Sequence, residues 1–169
     1  RQGLNVVYIT LELSEEIVAK RFDSMFSGIS QLDILKNITK ASIEIKRQAE
    51  THGGLIIKRL PESATNANHI RAYLKEYAIY YGVIPDAVVV DYMDLMMSNQ
   101  SVSAENLFVK DKYISEELRS IADDFNMIMI SASQLGRGVH FLENADDLSQ
   151  GHIAGGITEM KISNDQIVW

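Results

Sequence analysis

The chain contains no cysteine, so neither a disulfide framework nor a thiolate metal site is open to it. Proline occurs only twice in 169 residues, which argues against a disordered linker. No run approaches the ~18 consecutive apolar residues of a membrane-spanning helix. No signal peptide is visible; the first residue is Arg1 rather than Met, and the stretch reads as an excised piece. The four histidines, His52, His69, His140 and His152, lack the spacing of a metal-binding pair and read as surface or loop positions. Positive charge is also short. Sixteen Lys and Arg against 23 Asp and Glu leave a net charge of −7, which argues against a basic surface that coats nucleic acid. A DNA site made of a few loops lining a channel remains compatible with that charge.

What is present is a hydrophobic content of 46%, enough for the core of a single domain. Strand-like and helix-like patterns alternate, which predicts an α/β fold with a mostly parallel sheet. Residues 6–12 are almost continuously apolar and so belong in the sheet centre. Ser14 is positioned to N-cap the next helix, with Glu15 and Glu16 in its first turn. Ile17, Val18, Phe22, Met25 and Phe26 form the expected buried stripe, closed by Gly28. A short helix near 30–37 follows, then a helix from Thr39 to about Thr51 that Gly53 and Gly54 are expected to end. Residues 55–60 read as a strand nearer an edge, because Lys58 and Arg59 are basic. After a polar turn at 62–68, a helix runs to about Tyr81. The helical spacing of Tyr73, Tyr77, Tyr80 and Tyr81 favours core and core-rim packing over base stacking. Strand 87–91 comes next, then an amphipathic helix near 105–125, strand 127–132 and a long irregular stretch at 135–156. A short helix near 157–163 and a last strand at 166–169 complete an expected five-stranded sheet, open at both ends.

Chemistry concentrates at strand ends. Four apolar residues, Ala87 to Val90, lead into Asp91, the Walker B pattern in which an acid orients the Mg²⁺ shell beside a nucleotide. A strand-end Asp that merely caps a loop is the plain alternative. A second strand, Val6 to Leu11, leads into Glu12, and a third leads into Ser131, Ser133 and Gln134. In a parallel sheet all three sets meet at one edge, where such sheets bind ligands. Phosphoryl transfer needs an acid for the metal, a second acid or amide to position the attacking water, and a polar sensor of the γ-phosphate. A glycosidase also uses two carboxylates, but no groove-lining aromatic set accompanies these.

The ordered motifs resemble the RecA-type motor domain of hexameric replicative helicases, the DnaB family, and most nearly its large tailed-phage branch. The runs concerned are Thr10-Leu11-Glu12-Leu13, Val89-Val90-Asp91-Tyr92-Met93, Glu117-Leu118-Arg119-Ser120-Ile121-Ala122 and Ser133-Gln134-Leu135-Gly136-Arg137. The resemblance spans nearly the whole chain, and also covers 55–60 and 66–74. It implies a RecA-like, mostly parallel sheet flanked by helices, truncated at both ends, with residues 1–169 forming part of an ATPase domain. It implies ATP and Mg²⁺ as cofactors in the intact protein. Glu12 would polarise the attacking water, Asp91 would orient Mg²⁺ through water, Gln134 would sense the γ-phosphate, and Asp91 and Ser133 would contact the cofactor. Arg137 and His140 would contact DNA from the loop 135–156, whose Glu143, Asp146 and Asp147 are poor phosphate ligands. The implied partners are single-stranded DNA, further copies in a hexamer, and primase or other replisome proteins. The implied location is the cytoplasm, that of the host if the protein is phage-encoded.

One expected element is missing from these residues. No G-x-x-x-x-G-K-[ST] phosphate loop occurs, and neither Gly53-Gly54 nor Gly155-Gly156 is followed by Lys and Ser or Thr. In the family this loop lies just before the strand that begins near Val6. Two other readings therefore stand beside a helicase motor: another RecA-type ATPase, recombinase or clock-type, and an interaction module without catalysis.

Overall fold

The computed structural model describes residues 3–50, 53–103 and 106–134. The expected loop 135–156, with Arg137 and His140, the helix near 157–163 and the strand 166–169 lie outside the described residues. Four strands, β1 (Val6–Thr10), β2 (Leu55–Arg59), β3 (Ala87–Asp91) and β4 (Ile128–Ser131), form one sheet in the order β2-β1-β3-β4. Every pairing is parallel. Strand β1 takes an inner place and the basic β2 an edge, as their compositions predict, and β3 takes the other inner place.

Four α-helices connect the strands: α1 (Glu15–Ser27), α2 (Ile38–Ala49), α3 (Ala67–Tyr81) and α4 (Leu107–Phe125). The core lies between one sheet face and α3 with α4. Val7, Ile9 and Leu11 alternate onto that face beside Val88 and Val90, and meet Ile70, Leu74, Ile114, Leu118 and Ile121. Strand periodicity sends Tyr8, Thr10, Val89 and Asp91 to the opposite face, towards α1. Among the described residues no helix is long and apolar enough to cross a membrane.

Several local expectations are corrected. Only Val18 of the α1 stripe is buried; Ile17 is 47% and Met25 74% exposed. The helix packs on α2 and the edge strand β2, and among the described residues no second layer covers its outer side. Helix α2 begins at Ile38, so Thr39 lies within it and not at its cap, and it ends at Ala49 before either glycine. Gly53 serves a close approach instead: a Cβ there would collide with the Leu4 carbonyl. Tyr77 is buried, but Tyr80 is 81% exposed and is no core residue. Gly28 and Gly82 do end α1 and α3, both in the left-handed conformation that glycine adopts without strain.

Candidate active site

The parallel sheet brings the carboxyl ends of β1, β3 and β4 to one edge. Thr10 lies opposite Asp91 and Val90 opposite Ser131. Just past the paired register, the Leu11 amide donates to the Asp91 carbonyl at 2.9 Å. Glu12 follows in an exposed bend. That bend is pinned by the fully buried Thr10, whose hydroxyl donates to the Leu13 carbonyl at 2.9 Å and accepts from the Leu13 amide at 3.1 Å. Ser14 then caps α1, accepting from the Ile17 amide. Glu12 is therefore displayed between a fixed strand end and a fixed helix start.

Asp91 is partly buried, and the Tyr8 hydroxyl donates to its Oδ2. Burial first, then this bond and the charge of Asp91, push the Tyr8 phenol above its ordinary pKa, with the Arg21 charge opposing. The Asp91–Tyr92 peptide is cis. Tyr92 meets the third strand: the Gln134 side-chain amide donates to its hydroxyl at 2.6 Å. The Gln134 backbone amide donates to Asp94 Oδ2 at 2.8 Å, and the Met93 amide donates to the Ala132 carbonyl at 3.2 Å. The loop after β3 thus clamps the end of β4 at three points. The Tyr92 phenol is pushed up by burial, then by the charges of Glu12 and Asp94, with a smaller push from Asp91; the bond from Gln134 opposes them. The expected residues Glu12, Asp91 and Gln134 accordingly share one electrostatic neighbourhood around Tyr92.

Ser133 is also at this edge, but its hydroxyl is buried and without a partner among the described residues, as is Asp94 Oδ1. Close to Asp94, Asp111 of α4 is 7% exposed. Burial, then the charge of Asp94, raise its carboxyl above the usual range, with Lys110 opposing. Lys110 itself donates to the Asp94 carbonyl at 2.9 Å.

Tyr8, Asp94 and Asp111 escaped the sequence analysis. Tyr8 had only a partial signal: strand alternation puts it on the same face as Thr10, but its meeting with Asp91 depends on the register of β1 against β3. Asp94 and Asp111 had none, because their meeting depends on how α4 docks. His69 has a structural task in capping α3, and the described residues contain no cluster of three metal-binding side chains. A cavity of about 380 Å³ lined by Asp86, Asp123, Asn126 and Ile128 lies at the opposite sheet edge, away from Glu12, Asp91 and Gln134.

Comparison with known proteins bears on this geometry. The DnaB-like helicase C terminal domain family matches residues 1–148. A DnaB-like replicative helicase of Enterobacteria phage T4 is 33% identical over 141 residues, covering 80% of this chain and 30% of that protein. A probable replicative DNA helicase of Guillardia theta is 29% identical over 145 residues, covering 85% of this chain and 24% of that one. The chain thus spans less than a third of the length of either relative. Among solved structures, one described as an ATPase domain superposes with a TM-score of 0.70 at 17% identity, covering 92% of this chain and 55% of that one. A DnaB-like replicative helicase described with its interactions with primase superposes at 0.68 and 18% identity, covering 83% of this chain and 34% of that one. At such identities the superpositions speak to fold, and the fold they share is the RecA-like parallel sheet with flanking helices.

Proposed function

The chain belongs to the DnaB-like helicase C-terminal domain family, and from that membership we propose that it is part of the ATP-hydrolysing motor of a replicative DNA helicase. The observation that carries the proposal is the meeting of Glu12, Asp91 and Gln134 at the carboxyl edge of one parallel sheet, linked through Tyr92.

The donor chemistry fits a nucleotide-bound magnesium ion. Mg²⁺ usually keeps several waters and takes one or two carboxylates together with substrate phosphates, so it does not require a closed protein cage. Asp91 offers such a carboxylate: Tyr8 engages Oδ2, and among the described residues no partner takes Oδ1, which is the atom proposed to face a metal-bound water. The sequence holds no phosphate-loop motif, so these residues supply the acids and the sensor but not the cradle for the phosphates. When bound, Mg²⁺ neutralises charge on the phosphate oxygens. Glu12, exposed on its pinned bend, accepts hydrogen bonding from the attacking water and orients it. Gln134 holds its amide at the site through Tyr92 and its backbone through Asp94, so a change at the γ-phosphate would reach the end of β4. In the intact protein this cycle drives a hexamer along single-stranded DNA and separates the duplex. Primase is a proposed partner, because one structural relative is described with its interactions with primase.

The test is Glu12→Gln in the full-length protein. Removing a general base should lower ATP hydrolysis by about 10²–10⁴-fold while nucleotide binding persists. Turnover within a factor of two of the parent would remove Glu12 from the mechanism and favour a non-catalytic module.

A further inference from the structure

Asp91 is tied to β1 twice. Its carbonyl accepts the Leu11 amide at 2.9 Å, and its Oδ2 accepts the Tyr8 hydroxyl. The residue after Leu11 is Glu12, so one strand sets both acids. The Tyr8 ring is itself held, edge-on to Phe22 of α1 with centroids 5.4 Å apart and an interplanar angle of 83°. Phe22 in turn stacks on Phe26 at 6.0 Å. The ring is part of the packing between sheet and α1, and its hydroxyl is what reaches the acid.

We propose that Tyr8 is a positioning residue for the metal site, fixing the plane of the Asp91 carboxylate so that Oδ1 is presented to the magnesium water shell. The inference rests on the proposed role of Asp91. A carboxylate on a strand end is free to rotate about its terminal bond, whose torsional preference is broad. A hydroxyl donor on one oxygen removes that freedom, and hydrogen bonds to ionised acceptors are among the stronger ones. The cost of ordering the carboxylate is then met when the sheet folds rather than when the metal arrives, which is how neighbouring groups tune metal ligands elsewhere.

The experiment uses the full-length protein with Tyr8→Phe, which removes the hydroxyl and keeps the ring on Phe22. Mn²⁺ occupancy in the ADP complex is measured by electron paramagnetic resonance, and the Mg²⁺ dependence of ATP hydrolysis is measured alongside. The expected result is about tenfold weaker metal binding and a matching rise in half-saturating Mg²⁺, the size expected for losing one hydrogen bond to a charged group. Unchanged or tighter metal binding overturns the proposal; a fall in melting temperature with unaltered metal binding would make Tyr8 a packing residue only. Asp91→Asn separates the two levels. If it leaves metal binding intact, the reading of Asp91 fails and takes the Tyr8 role with it. If it loosens the metal while Tyr8→Phe does not, the Tyr8 assignment alone fails.

Discussion

Asp111 shows how one buried acid colours the stability of the molecule. Its carboxyl is 7% exposed, next to the charge of Asp94, and is raised by burial first and by that charge second. A carboxyl raised in the folded state stabilises the fold fully below its unfolded pKa of about 3.9, and the contribution is lost as pH rises through the folded value. At neutral pH the ionised group therefore opposes folding. Asp111→Asn should raise the melting temperature at pH 7.5, and the difference from the parent should vanish below about pH 4. Thermal melts across that range check both parts. Asp94 stands differently, because its Oδ2 holds the Gln134 amide; it is a structural carboxylate of the site itself.

Among the elements, α3 shows a start signal in unfamiliar residues. Asn66 Oδ1 accepts the His69 amide at 3.1 Å, and His69 Nδ1 accepts the Asn66 amide at 3.2 Å, a reciprocal capping box. The usual pattern ends in Glu or Gln, so residues 62–68 read from sequence only as a polar turn. Asn66→Ala should cost about 1 kcal/mol, measurable as a lower denaturant midpoint with unchanged slope. A loss under about 0.3 kcal/mol would mean that burial of Ala67 and Ile70 holds the helix start unaided. Helix α1 is the opposite case. Its cap at Ser14 and its glycine end at Gly28 were legible, because both are local chemistry. Its exposed Ile17 and Met25 were not, because periodicity tells which residues share a face and not whether anything covers that face.

At the scale of the whole molecule, the proposed function makes the acids and the phosphate cradle separable parts. A polypeptide of these 169 residues alone should neither bind MgATP tightly nor hydrolyse it, because it has no phosphate-loop motif to hold the triphosphate. Isothermal titration and a steady-state ATPase assay on the pure polypeptide check this, and measurable turnover would contradict it. On the proposed function, a longer protein that carries these residues together with a phosphate loop should show both activities.

The sequence by itself determined the order of the elements, the parallel α/β class, the inner place of β1, the edge place of β2 and the three polar strand ends. Continuous apolar strands must be covered on both faces, and parallel connection sends their carboxyl ends the same way. Only the tertiary structure decided what surrounds those ends. Tyr8 reaches Asp91 because β1 and β3 pair in one particular register. Gln134 reaches Tyr92 and Asp94 because the loop after β3 folds over the end of β4, and Asp111 comes close to Asp94 because α4 packs there. The residues concerned are 17–83 positions apart in the chain, and nothing in local propensity speaks to contacts at that separation.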